Sequence, residues 1–255
     1  MNRRTVGLLT AVLVVLAGGC ATGTDDEMAP PPTRTITATP SQSVAPAPAT
    51  IPVGHGDVSP ADVVWAQGGV LHVGGDPADL SPVDIEAFVV VHGGVFVLAA
   101  GELWFTDLSR LRGTGQTGVT GVQVNRDASM LNVFDTRGGT EETQGYDTRT
   151  GKAMRTEVNT QTPEEMRRGP GRYVVTTTAD GLPSVVETAT GDRVPLRGAP
   201  HHFRLGGWVG DSVFLGVGTD AKGRSRHIVR CDIAASACTL LDRVGPGPVV
   251  FGTGR

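Results

Sequence analysis

An acidic residue recurs through the chain at a spacing of about forty residues. It stands at Asp107, Asp147, Glu187 and Asp232, with separations of 40, 40 and 45 residues. The middle two lie in the similar segments YDTRTGK and VETATGD, where a Thr-Gly pair follows the acid. A carboxylate at such a turn accepts backbone N–H groups, and the glycine adopts the left-handed conformation. Strand-rich repeats of this length are typical of β-propeller blades.

Short runs rich in Val and Phe fill residues 53–255, separated by glycine-containing turns. Runs 63–65 and 70–73 flank one turn, and runs 88–91 and 95–98 flank another. Glycine supplies the positive φ that tight hairpin turns need, so each pair predicts a β-hairpin. The region is long enough for one domain with a substantial core.

We therefore predict an all-β fold, a small β-propeller-like array of about four or five blades over residues 53–255. The C-terminal run 248–251 is predicted to close the ring against the first blade. A β-sandwich or irregular barrel with coincidental spacing is the competing interpretation. The residues predicted to form equivalent repeat turns are Asp147, Gly151, Glu187, Gly191 and Asp232.

The segment YDTRTGK resembles the outer hairpin of bacterial WD40-like and pyrroloquinoline-quinone-type propeller repeats. In those families an Asp…Thr-Gly turn joins the last two strands of a blade. The resemblance covers about residues 60–241. No Trp-Asp dipeptide follows a hairpin, and Met154 and Arg155 stand where the quinone-type repeat usually carries tryptophan. We therefore expect no quinone and no other cofactor.

The first twenty residues have the layout of an export signal. Two arginines precede an apolar run over 6–16 that is too short to span a bilayer, and small residues lead to Cys20. The pattern resembles bacterial lipoprotein signals, in which the cysteine is lipidated, for example with palmitate, and becomes the first mature residue. We expect residues 1–19 to be removed and Cys20 to be lipidated. The alternative is a plain secretory signal cut near Ala21.

Residues 20–52 form a compositionally separate stretch, built mostly from Pro, Ala, Thr and Ser. The stretch has too few large apolar groups to offset the entropy of ordering, so we predict a disordered linker. A lipidated Cys20 followed by this linker predicts a protein attached to the extracytoplasmic face of the cell membrane.

The charge of the chain argues against a nucleic-acid partner. Removing residues 1–19 takes two arginines from the 22 basic residues and nothing from the 26 acidic ones, which leaves 20 against 26 and a net charge of −6. The charges are dispersed, without the basic stripe that nucleic-acid binding needs. We expect the membrane as a partner through Cys20, and an envelope protein or glycan as the bound partner.

Cys231 and Cys238 are the two cysteines that remain once Cys20 is assigned to the lipid. They flank a six-residue turn, and in an oxidising compartment such a pair predicts a disulfide across the hairpin. A zinc pair is the alternative, but the spacing is wrong and no neighbouring His or Cys pair completes four ligands. We predict no metal site.

The sequence carries no motif for a serine nucleophile, a zinc protease or a phosphate loop, and no catalytic residue is identified. His201 and His202 are adjacent, and alternation along a strand would place them on opposite faces, so we predict an exposed pair without a site. The three tryptophans are expected in the core.

The sequence thus favours a membrane-anchored binding or interaction module over an enzyme. Two alternatives stay open. One is a cell-surface hydrolase or lyase with a site built from blade loops. The other is an accessory subunit of an envelope transport or secretion complex.

Overall fold

The fold is taken from a computed structural model, and strands and turns make up its described part, with no helix there. The described part therefore contains no helix with the length and apolarity needed to cross a bilayer. The predicted export signal and Cys20 lie outside the described residues. Those residues are 34–36, 38–39, 49–54, 64–73, 76–125, 129–136, 142–154 and 171–252.

Two very short strands precede a series of hairpin-connected strands. In chain order the first eleven are β1 (Arg34–Thr35), β2 (Ala38–Thr39), β3 (Val64–Gln67), β4 (Val70–Val73), β5 (Asp76–Asp79), β6 (Ala87–Val91), β7 (Gly94–Ala99), β8 (Glu102–Thr106), β9 (Leu111–Thr117), β10 (Val119–Val124) and β11 (Met130–Asp135). The remaining ten are β12 (Glu142–Asp147), β13 (Ala153–Met154), β14 (Tyr173–Thr177), β15 (Pro183–Glu187), β16 (Arg193–Val194), β17 (His201–Trp208), β18 (Val213–Thr219), β19 (Arg226–Asp232), β20 (Ala237–Val244) and β21 (Val250–Phe251).

Strands that follow one another in the chain pair antiparallel to form five sheets among the described residues. We call them blade 1 (β3–β5), blade 2 (β6–β9), blade 3 (β10–β13), blade 4 (β14–β16) and blade 5 (β17–β20). The last strand, β21, returns to pair antiparallel with β3, with Val250 opposite Ala66 and Phe251 opposite Trp65. The predicted propeller-like fold is confirmed, with five blades in the part of the chain that the structure describes, and the C-terminal run pairs with the first blade as expected.

Apolar side chains from facing sheets fill the space between blades 1 and 2, 2 and 3, 4 and 5, and 5 and 1. In β7, Val95 and Val97 join the core shared with blade 1, whereas Phe96 and Leu98 join the core shared with blade 3. Successive residues of a strand point to opposite faces, so one strand serves both cores. Further cores join blade 4 to blade 5 and blade 5 to blade 1. The last blade therefore packs against the first.

Three short segments before the blades lie along the outer edges of blades 1, 2 and 3. β1 pairs in parallel with β5, and β2 pairs in parallel with β9. Farther on, Thr50 bridges Lys152, and the Ile51 amide donates to the Gly151 carbonyl at 2.5 Å. Ile36 and Ile51 are buried, at 2% and 0% exposure.

Within the predicted linker, residues 34–35 and 38–39 form strands at the edge of the propeller, and Thr50 forms a single bridge. Their backbone groups find partners at open sheet edges, and two isoleucines are removed from water there. The rest of the predicted linker lies outside the described residues. We call residues 34–36, 38–39 and 49–54 the rim segments.

Candidate binding cleft at the ring closure

A cleft of about 740 Å³ lies where blade 5 meets the C-terminal residues that close the ring. One wall comes from β17, β18 and β19, and the other from the chain leading into β21. The volume is in the range typical of small-molecule sites.

The floor of the cleft is apolar. Val217, Val249 and Phe251 line it and also belong to the core between blades 5 and 1. The ring of Phe251 lies so close to Gly206 of β17 that a Cβ on that glycine would overlap it. Glycine at this position therefore permits the close approach of β21 to blade 5.

The polar lining of the cleft is basic. It includes His202 and Arg204 of β17, both exposed, and Arg226 of β19. The lining contains no carboxylate among the described residues. The Arg204 side chain has no hydrogen-bond or ion-pair partner within the described ranges. Its guanidinium group is thus available to a ligand.

The turn at 245–247 forms a fixed wall. Gln67 Nε2 of blade 1 donates to the carbonyls of Gly245 and Pro246, both at 3.1 Å, and the Gly245 amide donates back to Gln67 Oε1 at 3.1 Å. From blade 5, Arg226 Nη1 donates to the carbonyls of Gly245 and Gly247, at 2.9 and 3.0 Å. The turn is therefore tied to both blades, which keeps the cleft preorganised for a ligand.

A histidine–tryptophan stack lies at the same junction. The rings of Trp65 and His72 are parallel within 7°, with centroids 3.7 Å apart. Trp65 belongs to the core beneath the cleft. Burial lowers the pKa of His72, and the nearby Asp242 carboxylate opposes that shift only in part. Burial at this junction therefore favours the neutral imidazole of His72.

The predicted repeat turns lie at the other end of the strands from the cleft. In blade 5, Asp232 begins the turn from β19 to β20, whereas the cleft lies beside the 220–225 turn from β18 to β19. In each turn, the residue after the acid donates its backbone amide to the carbonyl of the residue that directly precedes an earlier strand of the same blade. The three turns therefore occupy matching positions. These bonds are Thr148 to Ser129 at 3.0 Å, Thr188 to Arg172 at 2.7 Å and Ile233 to Ser212 at 2.8 Å.

Each turn acid is engaged locally. Asp147 Oδ1 accepts the amides of Thr150 and Arg149 at 2.7 and 2.9 Å, and these bonds, led by those from Thr150, lower the pKa of Asp147. Glu187 pairs with Arg172 at 3.1 Å. Gly151 and Gly191 have φ values of 66° and 75° and end their turns in the left-handed conformation. These residues shape turns and do not assemble one site.

The disulfide between Cys231 and Cys238 is present, with Cα atoms 4.0 Å apart on directly opposed positions of β19 and β20. No cluster of three or more His, Cys, Asp or Glu residues in the described ranges is arranged to hold a metal ion. His202, predicted to be exposed without a site, is exposed and lines the cleft. Sequence reasoning missed Arg204 and Arg226 altogether.

Comparisons with known structures return propellers at low similarity. TolB from Acinetobacter baumannii is 14% identical over 72% of this chain and 53% of its own, with a TM-score of 0.33. TolB from Agrobacterium tumefaciens is 10% identical over 64% and 63%, with a TM-score of 0.28. The Neurospora crassa Pan2 WD40 domain is 13% identical over 77% and 65%, with a TM-score of 0.27.

The chain thus spans between half and two thirds of the length of these three proteins. Because these TM-scores are low, the fold assignment rests on the strand pairing of this chain. No protein-family model matches the sequence, and no curated protein matches it.

Proposed function

We propose that this protein is a lipid-anchored, extracytoplasmic binding module whose propeller offers the cleft to a partner of the cell envelope. The observation that carries the proposal is the preorganised cleft at the ring closure, with an apolar floor and the Arg204 guanidinium group, which has no partner among the described residues. Blade 5 packs against blades 4 and 1 through shared apolar cores, and such packing limits motion at the cleft and so reduces the entropy cost of binding.

The anchoring half of the proposal rests on the sequence. The short apolar run that ends at Cys20 favours lipidation, and two acyl chains are enough for stable membrane attachment. The exposed residues of the 220–225 turn stand beside the cleft and are the ones that a partner would approach. We call this end of blade 5 the cleft end, and the end that carries the Asp232 turn the opposite end.

Fractionation of bacterial cells tests the anchor. Wild-type protein should collect in the membrane fraction and incorporate labelled palmitate, whereas Cys20→Ala should move to the soluble or secreted fraction. Ser41→Ala, in the same proline-rich stretch, is the control and should behave as wild type. Equal partition of the wild type and Cys20→Ala would exclude lipid anchoring.

Site-specific photo-crosslinking in cells tests the binding face. A photoreactive residue at Lys222 occupies the cleft end, and one at Ala234 occupies the opposite end of the same blade; both positions are exposed. We expect a discrete adduct from position 222 and none from position 234. Adducts of equal yield from both positions, or no adduct from either, would contradict binding at the cleft end.

A further inference from the structure

We propose that the cleft at the ring closure binds an organic anion, a carboxylate or phosphate group carried beside an apolar portion. This inference rests on the proposed function, because the anion is the group that the binding module recognises. The first support is charge. Arg204 and Arg226 line the cleft and no described carboxylate does, in a chain whose predicted mature form is acidic overall.

Arg204 is assigned the contact with the anion. Its side chain lines the cleft and has no partner among the described residues. A guanidinium group presents parallel N–H donors that match the two oxygens of a carboxylate or phosphate. Arg226 has a different task, because its Nη1 is already bonded to the carbonyls of Gly245 and Gly247.

The apolar floor defines the rest of the ligand. Val249 and Phe251 are partly buried and leave part of their surface open at the cleft, next to the buried Val217. An apolar group packed there would exclude water from the neighbouring ion pair and strengthen it, because charges attract more strongly in a medium of lower dielectric constant. An anion without an apolar portion lacks this contribution.

Four probes separate charge from apolar contact: phenylacetate, phenylphosphate, the neutral phenylacetamide and inorganic phosphate. Binding to the Cys20→Ala full chain would be followed by NMR. The amides of Gly206, Gly218 and Gly247 report on the cleft, and that of Gly191 reports on a distant turn. We expect saturable shifts of the three cleft amides with the two phenyl anions, weaker ones with inorganic phosphate, and none at Gly191.

Substitutions then test the assigned residue. Arg204→Gln should weaken binding of the phenyl anions at least about tenfold, because a charge-assisted hydrogen-bond pair is lost. Arg204→Lys should weaken it less. Arg193→Gln, at an exposed arginine of β16 outside the cleft, is the matched control and should have no effect. Equal binding of phenylacetamide and phenylacetate, undiminished binding by Arg204→Gln, or no binding by any probe would overturn the proposal.

Competition identifies the source of the anion. If the partner carries it, phenylacetate or phenylphosphate should suppress the adduct formed from position 222, and the better competitor shows whether the group is a carboxylate or a phosphate. If a free metabolite supplies it, the probes bind and the adduct persists. An adduct that forms normally with Arg204→Gln, together with silent probes, would reject the anion site and leave the proposed function standing.

Discussion

The two ends of the chain attach to the propeller in different ways. The C-terminal strand β21 completes blade 1 from inside the ring, touching the first strands of blades 2 and 5. The rim segments instead pair with the outer edges of blades that are already complete, β1 and β2 as strands and Thr50 through a single bridge. The inner attachment shares its core with two blades, so its loss should open the ring. The outer attachment can detach while the blades stay packed.

Removal of the closing strand should have the largest effect. Deleting residues 248–255 removes β21 and uncovers the core between blades 5 and 1, so we expect a loss of at least about 4 kcal/mol in the free energy of unfolding. Deleting only residues 253–255 leaves β21 intact and should change little. Denaturant unfolding measures both. If the two truncated variants are equally stable, the ring does not depend on its closing strand.

A single methyl group can test the same junction. Gly206→Ala would press against the Phe251 ring, and such overpacking costs about 1–3 kcal/mol. Gly207→Ala is the control, because a Cβ there meets nothing within 4 Å. Thermal unfolding should separate the two variants clearly. A Gly207→Ala variant as unstable as Gly206→Ala would show that backbone propensity, and not the contact with Phe251, sets the cost.

The rim can be tested with a matched pair of turn glycines. Gly151 and Gly191 have similar positive φ values, but only a Cβ at Gly151 would overlap the Ile51 carbonyl. Both alanine variants should lose about 1 kcal/mol from backbone strain. Gly151→Ala should lose a further ~1–2 kcal/mol by displacing the buried Ile51, and no more, because the segment can detach.

Hydrogen exchange locates that loss. The Ala153 amide donates to the Ala49 carbonyl at 3.0 Å, so it should exchange faster in Gly151→Ala and not in Gly191→Ala. Core amides of blades 2 and 3 should keep their protection in both variants. Loss of that core protection in Gly151→Ala would mean that the rim is as essential as the closing strand.

The smallest effect should come from pH. Burial lowers the pKa of His72 in the folded chain. When the pH falls below the ordinary histidine pKa of about 6.5, the unfolded chain therefore takes up a proton more readily than the folded chain does. The stability that the neutral ring provides is present above that pH and is lost as the pH falls. His72→Gln should therefore lose less stability than the wild type between about pH 7.5 and pH 5.5. Melting curves at both pH values measure this difference. An equal drop in melting temperature for the wild type and His72→Gln would contradict this role.

The fold was largely predictable because its signals are local. A carboxylate and a Thr-Gly pair within five residues predict the turns at Asp147 and Glu187. The closing run was predictable from its apolar character. The rim was not, because β1 and β2 are two-residue strands in a proline-rich stretch. Their pairing depends on open sheet edges that only the folded blades provide.

The cleft could not be found in the sequence for a related reason. Arg204 and Gly247 line it together but stand more than forty residues apart, in segments that share no motif. An exposed arginine on a strand is common and indicates no site by itself. Arg204 becomes part of a cleft only because the C-terminal residues pack beside it. The disulfide needed no such assembly, because Cys231 and Cys238 oppose each other across one hairpin.

The outer pairing of β1 also sets how far the propeller can stray from its proposed lipid. An extended chain reaches about 3.3–3.6 Å per residue, so the stretch from Cys20 to Arg34 allows about 50 Å, against about 110 Å if the chain were free to residue 53. If Cys20 carries a lipid and β1 stays paired, the volume that the cleft can reach would be roughly tenfold smaller, and a partner fixed near the membrane would meet a correspondingly higher local concentration of the site.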